Sequence, residues 1–383
     1  MRSPPTVLVG GAENAVSAAR ALRARGVRVV AVAEDRAPVH RSRGVIPARV
    51  GERVDEASLE AWFAAHGARH EGSVLIPLSD HALQFVVQRH AALGAAFRVA
   101  RLDPEVVAAM LDKRRTVELA EAAGVPAPRQ WSAESADDLD RFVDEIVFPV
   151  VVKPRRTYEL IRLMARKFLW AHDRDELHEA MQVLSRIEGG FSVNEFVPGP
   201  DSQLSSYYAL RDQGRVLCEF TKRIERRYPT NEGGATLHRM EQKDEAMRLG
   251  RAFFAHIGLE GLGNVEFKFD PRDGRTKLIE CNHRLTAATE LVQRSGIDIV
   301  GAVYDQALGR PTTASSSFDE RWFWYPVRDL QSARSQSARA MLDWCTVPLR
   351  RPVLPFFRLD DPVPAWVHAR NGAQAFLRRR RGA

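Results

Sequence analysis

The 383-residue sequence predicts an α/β (α+β) chain: a parallel βαβ opening followed by antiparallel hairpins and amphipathic helices. Three observations lead there. TVLVGG, AENAVSAARALRARG and VRVVAVAEDR run as apolar strand, helical stripe and second apolar strand. YYALRDQGRVLCEFTK and NVEFKFDPRDGRTKLIECNHR each read as two strands about a short polar turn. DEAMRLGRAFFAHIGL, between the two hairpins, has the apolar spacing of a helix.

With 45% apolar and 27% charged residues, the composition is that of a globular chain of two or three domains. It holds no uncharged apolar run of about 18 residues, and its start passes into a strand without a cleavable apolar region, so a cytoplasmic location is expected. Cys218, Cys281 and Cys345 are odd in number and scattered, against a disulfide framework or a zinc site. The net charge of +7 comes from 56 basic against 49 acidic residues, with four arginines at 378–381. A nucleic-acid footprint would be a stripe on a charged body, so no nucleic-acid partner is expected. An anionic substrate such as a nucleotide, or an acidic membrane surface touched by the tail, accounts for the charge. A homodimer is compatible with all of this.

Taken in order, the first helix carries Val16, Ala19, Leu22 and Ala24 on one stripe, with Gly26 as its C′ cap. Glu34 and Asp35 follow the second strand, but Gly10 and Gly11 are adjacent and G-x-G-x-x-G is absent, which argues against dinucleotide binding. SVLIPLSDHALQFVVQRH is a strand, turn and helix. It sets Asp80 and His81 where open α/β sheets bind ligands, a helix cap being an equal reading. LDPEVVAAMLDKRRTVELAEAAG reads as one helix holding Lys113, and SAESADDLDRFVDEI as an acidic helix. FPVVVKP is an apolar strand closed by Lys153, whose ammonium needs a counter-charge if buried. Two lysines beside apolar structure suggest a shared anion.

Lys167 is expected to start a further strand and DRDEL a helix. GGFSVNEFVPGPDSQ is a strand leading into a turn flanked by Glu195 and Asp201; it could bind a flat heterocycle or act as a hinge. The second strand of the next hairpin ends in Lys222, Arg223, Arg226 and Arg227, and TNEGGATLHR reads as a glycine-containing loop. In the last hairpin Glu280, Asn282 and Arg284 alternate and should share one face, with Glu266 on the neighbouring strand. Two carboxylates and an amide oxygen suit Mg²⁺ or Mn²⁺ held against phosphates, and do not suit zinc.

The order Lys113, VVVKP with Lys153, EFVPG, VEFKFDPRDG and LIECNHR resembles the ATP-grasp superfamily over residues 112–284. The βαβ opening resembles the domain that precedes this fold in biotin carboxylase and its relatives. Within the superfamily the chain is most similar to D-aspartate ligase-like carboxylate–amine ligases, which often end in a stretch like LDDPVPAW. The resemblance implies a Rossmann-like domain at 1–104, an ATP-grasp domain at 105–312 and an aromatic-rich C-terminal extension at 313–383. Within the ATP-grasp part, a small lid would span about 125–195 and a metal and catalytic subdomain about 196–312.

It further implies that Lys113 and Lys153 contact ATP phosphates, with Lys222 also on the nucleotide. The backbone of Glu195 and Val197 would meet adenine, and Asp201 the ribose. Glu266, Glu280 and Asn282 would ligate Mg²⁺, and Arg284 would steady an acyl phosphate. The implied activity is ATP-dependent amide formation from a small carboxylate and an amine, releasing ADP and phosphate, in cell-envelope or specialised-metabolite biosynthesis. Alternatives are the same fold acting on bicarbonate, or a nucleotide-binding protein without turnover; intact Lys153, Glu280 and Asn282 argue against the latter. RRTYELIRLMARK after Lys153 lacks the glycines of many relatives, which would leave phosphate contact to Arg155, Arg156 or Thr157. Asp80, His81, Arg223, Arg226 and the GGATL stretch are candidates for substrate contact. Trp322, Trp324, Tyr325, Trp344 and Trp366 are expected to pack on the main body, a membrane-proximal platform with the arginine run being the alternative.

Overall fold

Three sheets organise the computed structural model, which describes residues 3–154, 160, 164, 168–187, 190–312 and 315–381, with residues 376 and 378–381 described by backbone alone. The first sheet is parallel. Its strands β1 (Thr6–Val9), β2 (Val29–Ala33), β3 (Val45–Arg49), β4 (Val74–Pro77) and β5 (Arg98–Val99) lie in the order β3-β2-β1-β4-β5. TVLV and VVAVA are buried throughout, as strands covered on both faces must be. The helix Glu13–Ala24 ends before Gly26, whose φ of 73° is the left-handed turn expected there. The cap of the helix Asp80–Gln88 is Ser79, which accepts from the Ala82 N–H, so Asp80 is free of that task.

The second sheet is antiparallel: β6 (Gln130–Ala133), β7 (Val150–Pro154), β8 (Leu169–Ala171) and β9 (Phe191–Glu195) in the order β6-β9-β7-β8, packed on the helix Arg174–Leu184. The third has six strands, β10 (Leu204–Asp212), β11 (Arg215–Tyr228), β12 (Gly234–Met240), β13 (Gly261–Asp270), β14 (Arg275–Asn282) and β15 (Trp322–Trp324), in the order β14-β13-β10-β11-β12-β15. Gln213 and Gly214 join β10 to β11 with φ of 50° and 75°, the paired left-handed conformation a two-residue hairpin needs.

The structure departs from the sequence reading in four places. The long segment after Asp103 is two helices, Pro104–Leu111 and Lys113–Ala122, broken at Asp112, whose carboxylate accepts from the Arg114 and Arg115 N–H groups. Lys113 therefore stands exposed at a helix start and not in a helix interior. The acidic segment forms two 3₁₀ turns, Ala136–Arg141 and Val143–Glu145, because Asp138 folds back onto the Glu134 and Ser135 N–H groups. GGATL is mostly strand β12. A side chain at Gly233, just before it, would meet the Tyr228 carbonyl at 1.7 Å.

The fourth is the C-terminal region, which completes the third sheet through β15 beside β12. Asp329 gathers Arg226 (2.6 and 2.9 Å), Trp324 Nε1 (2.8 Å) and Thr236 Oγ1 (2.8 Å), and Arg226 also reaches Asp343 at 2.5 Å. Arg226 is thus a buried structural tie and leaves the set of substrate candidates. Trp324 and Tyr325 are buried and Trp322 and Trp344 half-buried, whereas Trp366 is exposed. Among the described residues no helix is long and apolar enough to cross a membrane.

Candidate active site

Directly opposed residues of an antiparallel pair point to one face. The register therefore lines up Glu280, Glu266, Ser206, Lys222 and Met240 across β14, β13, β10, β11 and β12. Two residues along, Asn282, Asn264, Tyr208 and Phe220 form the next row. The other face buries Tyr207, Val265, Phe267 and Leu278 against the helix Asp244–His256. Leu278 and Glu280 are two apart and would share a face in a regular strand. A bulge separates them: Leu278 pairs with Phe267 and Glu280 with Glu266, leaving Ile279 as the extra residue.

Among the described residues, the side chains of Lys113, Lys153, Lys222, Glu266, Glu280 and Asn282 have no hydrogen bond or ion pair. Burial pushes the Lys153 ammonium down to about 8; Lys113 acts in the same direction and Glu280 against it, so these three groups feel one another. Lys153 Nζ also lies 5.8 Å from the Phe168 ring centroid. Lys222 is buried, which lowers its pKa, with Glu266 as its opposing charge. Glu280 lies in a crowded depression still reached by solvent. Desolvation and then the Glu266 carboxylate push its pKa up, while Lys113, Lys153 and Arg284 pull it down. Ser206 Oγ and Asn264 Oδ1 are buried in the same two rows with no partner among the described residues. Facing carboxylates, an amide oxygen and unpartnered hydroxyl and amide oxygens fit a hard divalent cation.

Arg284 follows β14 and reaches the first sheet, its Nε donating to Asp80 Oδ1 at 2.6 Å. Tyr208 Oη and Thr286 Oγ1 share a hydrogen bond of 2.8 Å nearby in sequence to that crossing. His81 is exposed beside Asp80. Arg223 is committed to the Ser202 carbonyl and to Glu225 and Glu241, on the face opposite Lys222.

The segment after β9 is the opposite case. Glu195 donates its N–H to the Arg129 carbonyl, and its carboxylate takes the Arg129 N–H, Arg272 Nη2 (2.6 Å) and Lys277 Nζ (3.3 Å). The Val197 carbonyl accepts from Lys268 Nζ at 2.9 Å, and that ammonium lies 5.2 Å from the Phe196 ring centroid. Burial lowers the Lys268 pKa to about 8. Asp201 needs a correction. Its carboxylate is buried, with one oxygen on the Arg227 N–H and the other on Arg227 Nε, both at 2.9 Å, so it fastens β11 and is not presented to a ribose. A cavity of about 450 Å³ opens beside it, lined by Pro200, Tyr228, Pro229, Asn231, Ser335 and Gln336. Arg155, Arg156, Thr157 and Lys167 lie outside the described residues.

Sequence reading missed Ser206, Asn264 and Lys268. Ser206 and Tyr208 alternate within LSSYY, but only the pairing of β10 with β13 shows that their face is that of Glu266.

No family model matches the chain. It is 23% identical over 313 residues to the D-aspartate ligase of Enterococcus faecium, covering 77% of this chain and 74% of that one. Its structure is similar to biotin carboxylase of Campylobacter jejuni (TM-score 0.64, 17% identity, 82% and 73% of the two chains). It is also similar to the L-amino acid ligase of Bacillus licheniformis (TM-score 0.57, 18% identity, 80% and 75%).

Proposed function

We propose that this chain, an ATP-dependent ligase of the ATP-grasp superfamily, joins a small carboxylate to an amine through an acyl phosphate. The observation that carries this reading is a set of polar groups with no partner among the described residues: Lys222, Glu266, Glu280 and Asn282 on one sheet face, with Lys153 of β7 and Lys113 of a helix start near enough to act on Glu280. Such a set is poorly stable by itself and gains from a phosphate chain and a divalent cation together.

In this reading Lys113, Lys153 and Lys222 hold the phosphates, and the backbone of Glu195 and Val197 meets the base. Glu266, Glu280 and Asn282 would hold Mg²⁺ or Mn²⁺, which supplies charge neutralisation at the phosphates when bound. A carboxylate oxygen of the first substrate attacks the γ-phosphorus and ADP leaves. The amine nitrogen then attacks the acyl carbon, the bond to the phosphate oxygen breaks, and phosphate departs as the amine loses a proton. Arg284 acts on the acyl phosphate and on the carbonyl oxygen as charge develops there, which its fixed fork suits. Asp80 positions Arg284 through their hydrogen bond. Phosphoryl transfer asks chiefly for positioning and charge, which is what these side chains offer. The setting would be biosynthesis of a cell-envelope component or a specialised metabolite.

A screen of carboxylic acids and amino acids for stimulated ADP release tests the proposal. The expected result is release that needs both a carboxylate and an amine, with an ¹⁸O label passing from the carboxylate into phosphate. Release that depends on bicarbonate, or phosphate that carries no label, would overturn it.

A further inference from the structure

The helix Val363–Arg381 is bound to the body along one side. Val367 is buried, Asn371 Nδ2 donates to the Arg36 carbonyl at 2.8 Å, and His368 stacks on Phe356 with centroids 4.1 Å apart. Its other side is an apolar stripe at helical spacing. Val363 is 45% exposed, Trp366 62% and Leu377 54%, with exposed Ala373 between them and Leu359, 90% exposed, just ahead of the helix. Arg370 lies on the same stripe, its guanidinium 5.0 Å from the Trp366 ring centroid.

Charge sets what can cover this stripe. The helix carries five arginines and no acidic residue in a chain whose net charge is +7, so most of the positive excess is concentrated there. The nearest acids in sequence are both committed, Asp361 to Arg20 and Ser42 and Asp360 to Arg23 and Arg358. Arginines at a helix C-terminus would by themselves suit its dipole. That does not account for an exposed tryptophan and leucine on the free side, which cost free energy in water. Past Gly372 the described side chains are all exposed, so this end of the helix projects from the body and has little tertiary packing to hold it.

We propose that this helix is an interfacial anchor which lays Val363, Trp366 and Leu377 into an anionic lipid surface while its arginines meet the headgroups. Trp and Leu on one side with arginine at the end is the chemistry of a helix lying in the plane of a membrane. The ligase would then work at a membrane surface without crossing it.

Co-sedimentation of the full chain with vesicles tests this. Phosphatidylcholine vesicles containing about 30 mol% phosphatidylglycerol should bind the protein at least about tenfold better than pure phosphatidylcholine, and binding should weaken as salt rises. Trp366→Ser with Leu377→Ser should lose at least about tenfold with every arginine in place. Arg379→Gln with Arg380→Gln should lose a similar factor with the stripe intact. None of these should alter the melting temperature or nucleotide affinity, so a failed ligase assay would not bear on the result. Equal binding to neutral and anionic vesicles, or undiminished binding by Trp366→Ser with Leu377→Ser, would overturn the proposal. So would absence of lipid binding together with a dimer, or a nucleic-acid complex, that those substitutions dissolve.

Discussion

The two ends of the candidate site handle charge in opposite ways. Around the turn after β9, every charge described has a partner: Glu195 with Arg272 and Lys277, Asp201 with Arg227, Asp270 with Arg272 and Lys277. Glu266 and Glu280 on the face of β13 and β14, Lys222 in the same row on β11 and Lys153 on β7 have none among the described residues. Carboxylates and ammonium groups left that way in a crowded depression destabilise the free protein, since each loses solvation and gains no bond. The difference separates scaffold from site. Paired charges fix the shape of the turn; unpaired ones wait for a ligand.

Substitutions should fall into two classes accordingly. The largest effect is expected at Glu280. Glu280→Gln removes one repelling charge and no bond, so folding should be intact or slightly improved, while ligase turnover drops about 10³-fold, the upper scale for losing one electrostatic element of a site. Steady-state kinetics beside a thermal melt checks both; near-normal turnover at ordinary Mg²⁺ would remove Glu280 from the site.

Next is Arg284→Lys, where nucleotide affinity should hold and amide formation fall about 10²-fold, because a lysine cannot reproduce the planar fork. If Arg284 were merely the surface partner of Asp80, the change would cost under about 1 kcal/mol and both quantities would stay the same.

Lys153→Ala should weaken nucleotide binding by about 1.5–3 kcal/mol. The pH dependence sharpens this. With the ammonium lowered to about 8 in the free chain, nucleotide affinity should fall as pH rises through that value, because phosphate binds the charged form. Stability of the free protein should move the other way. Between about 8 and the ordinary 10.5 the unfolded chain holds the proton and the folded chain does not, so unfolding free energy rises with pH across that window. Calorimetric titrations and melts at several pH values would show the two trends crossing, and Lys153→Ala should flatten both.

The smallest effect on binding is expected on the paired side. Asp201→Asn should change nucleotide affinity less than about twofold and cost about 1–3 kcal/mol of stability, since Arg227 loses its charged acceptor. A large loss of affinity without a loss of stability would return Asp201 to the ribose.

What could be read from the sequence follows the same division. Glu280 and Asn282 were legible because strand alternation is local, and the hairpin around Gln213 and Gly214 because its turn chemistry is local. The bulge at Ile279 was not, since it depends on how β14 pairs with β13. Neither was the partner of Asp201, 26 residues away, nor that of Arg226, 103 residues away in the C-terminal extension, whose aromatics predict packing on the body but no particular partner. Asp112 misled for a different reason. A capping carboxylate in the middle of an apolar periodic stretch looks like a helix interior until the backbone turns at it.

The most direct test is calorimetric binding of a non-hydrolysable ATP analogue with and without Mg²⁺, for the native chain and for Glu266→Gln with Glu280→Gln. If the unpaired face exists to hold a metal–nucleotide pair, Mg²⁺ should raise the affinity of the native chain at least about tenfold, or 1.4 kcal/mol, and should do nothing for the double variant. An affinity that ignores Mg²⁺ in the native chain, or responds equally in both, would contradict it.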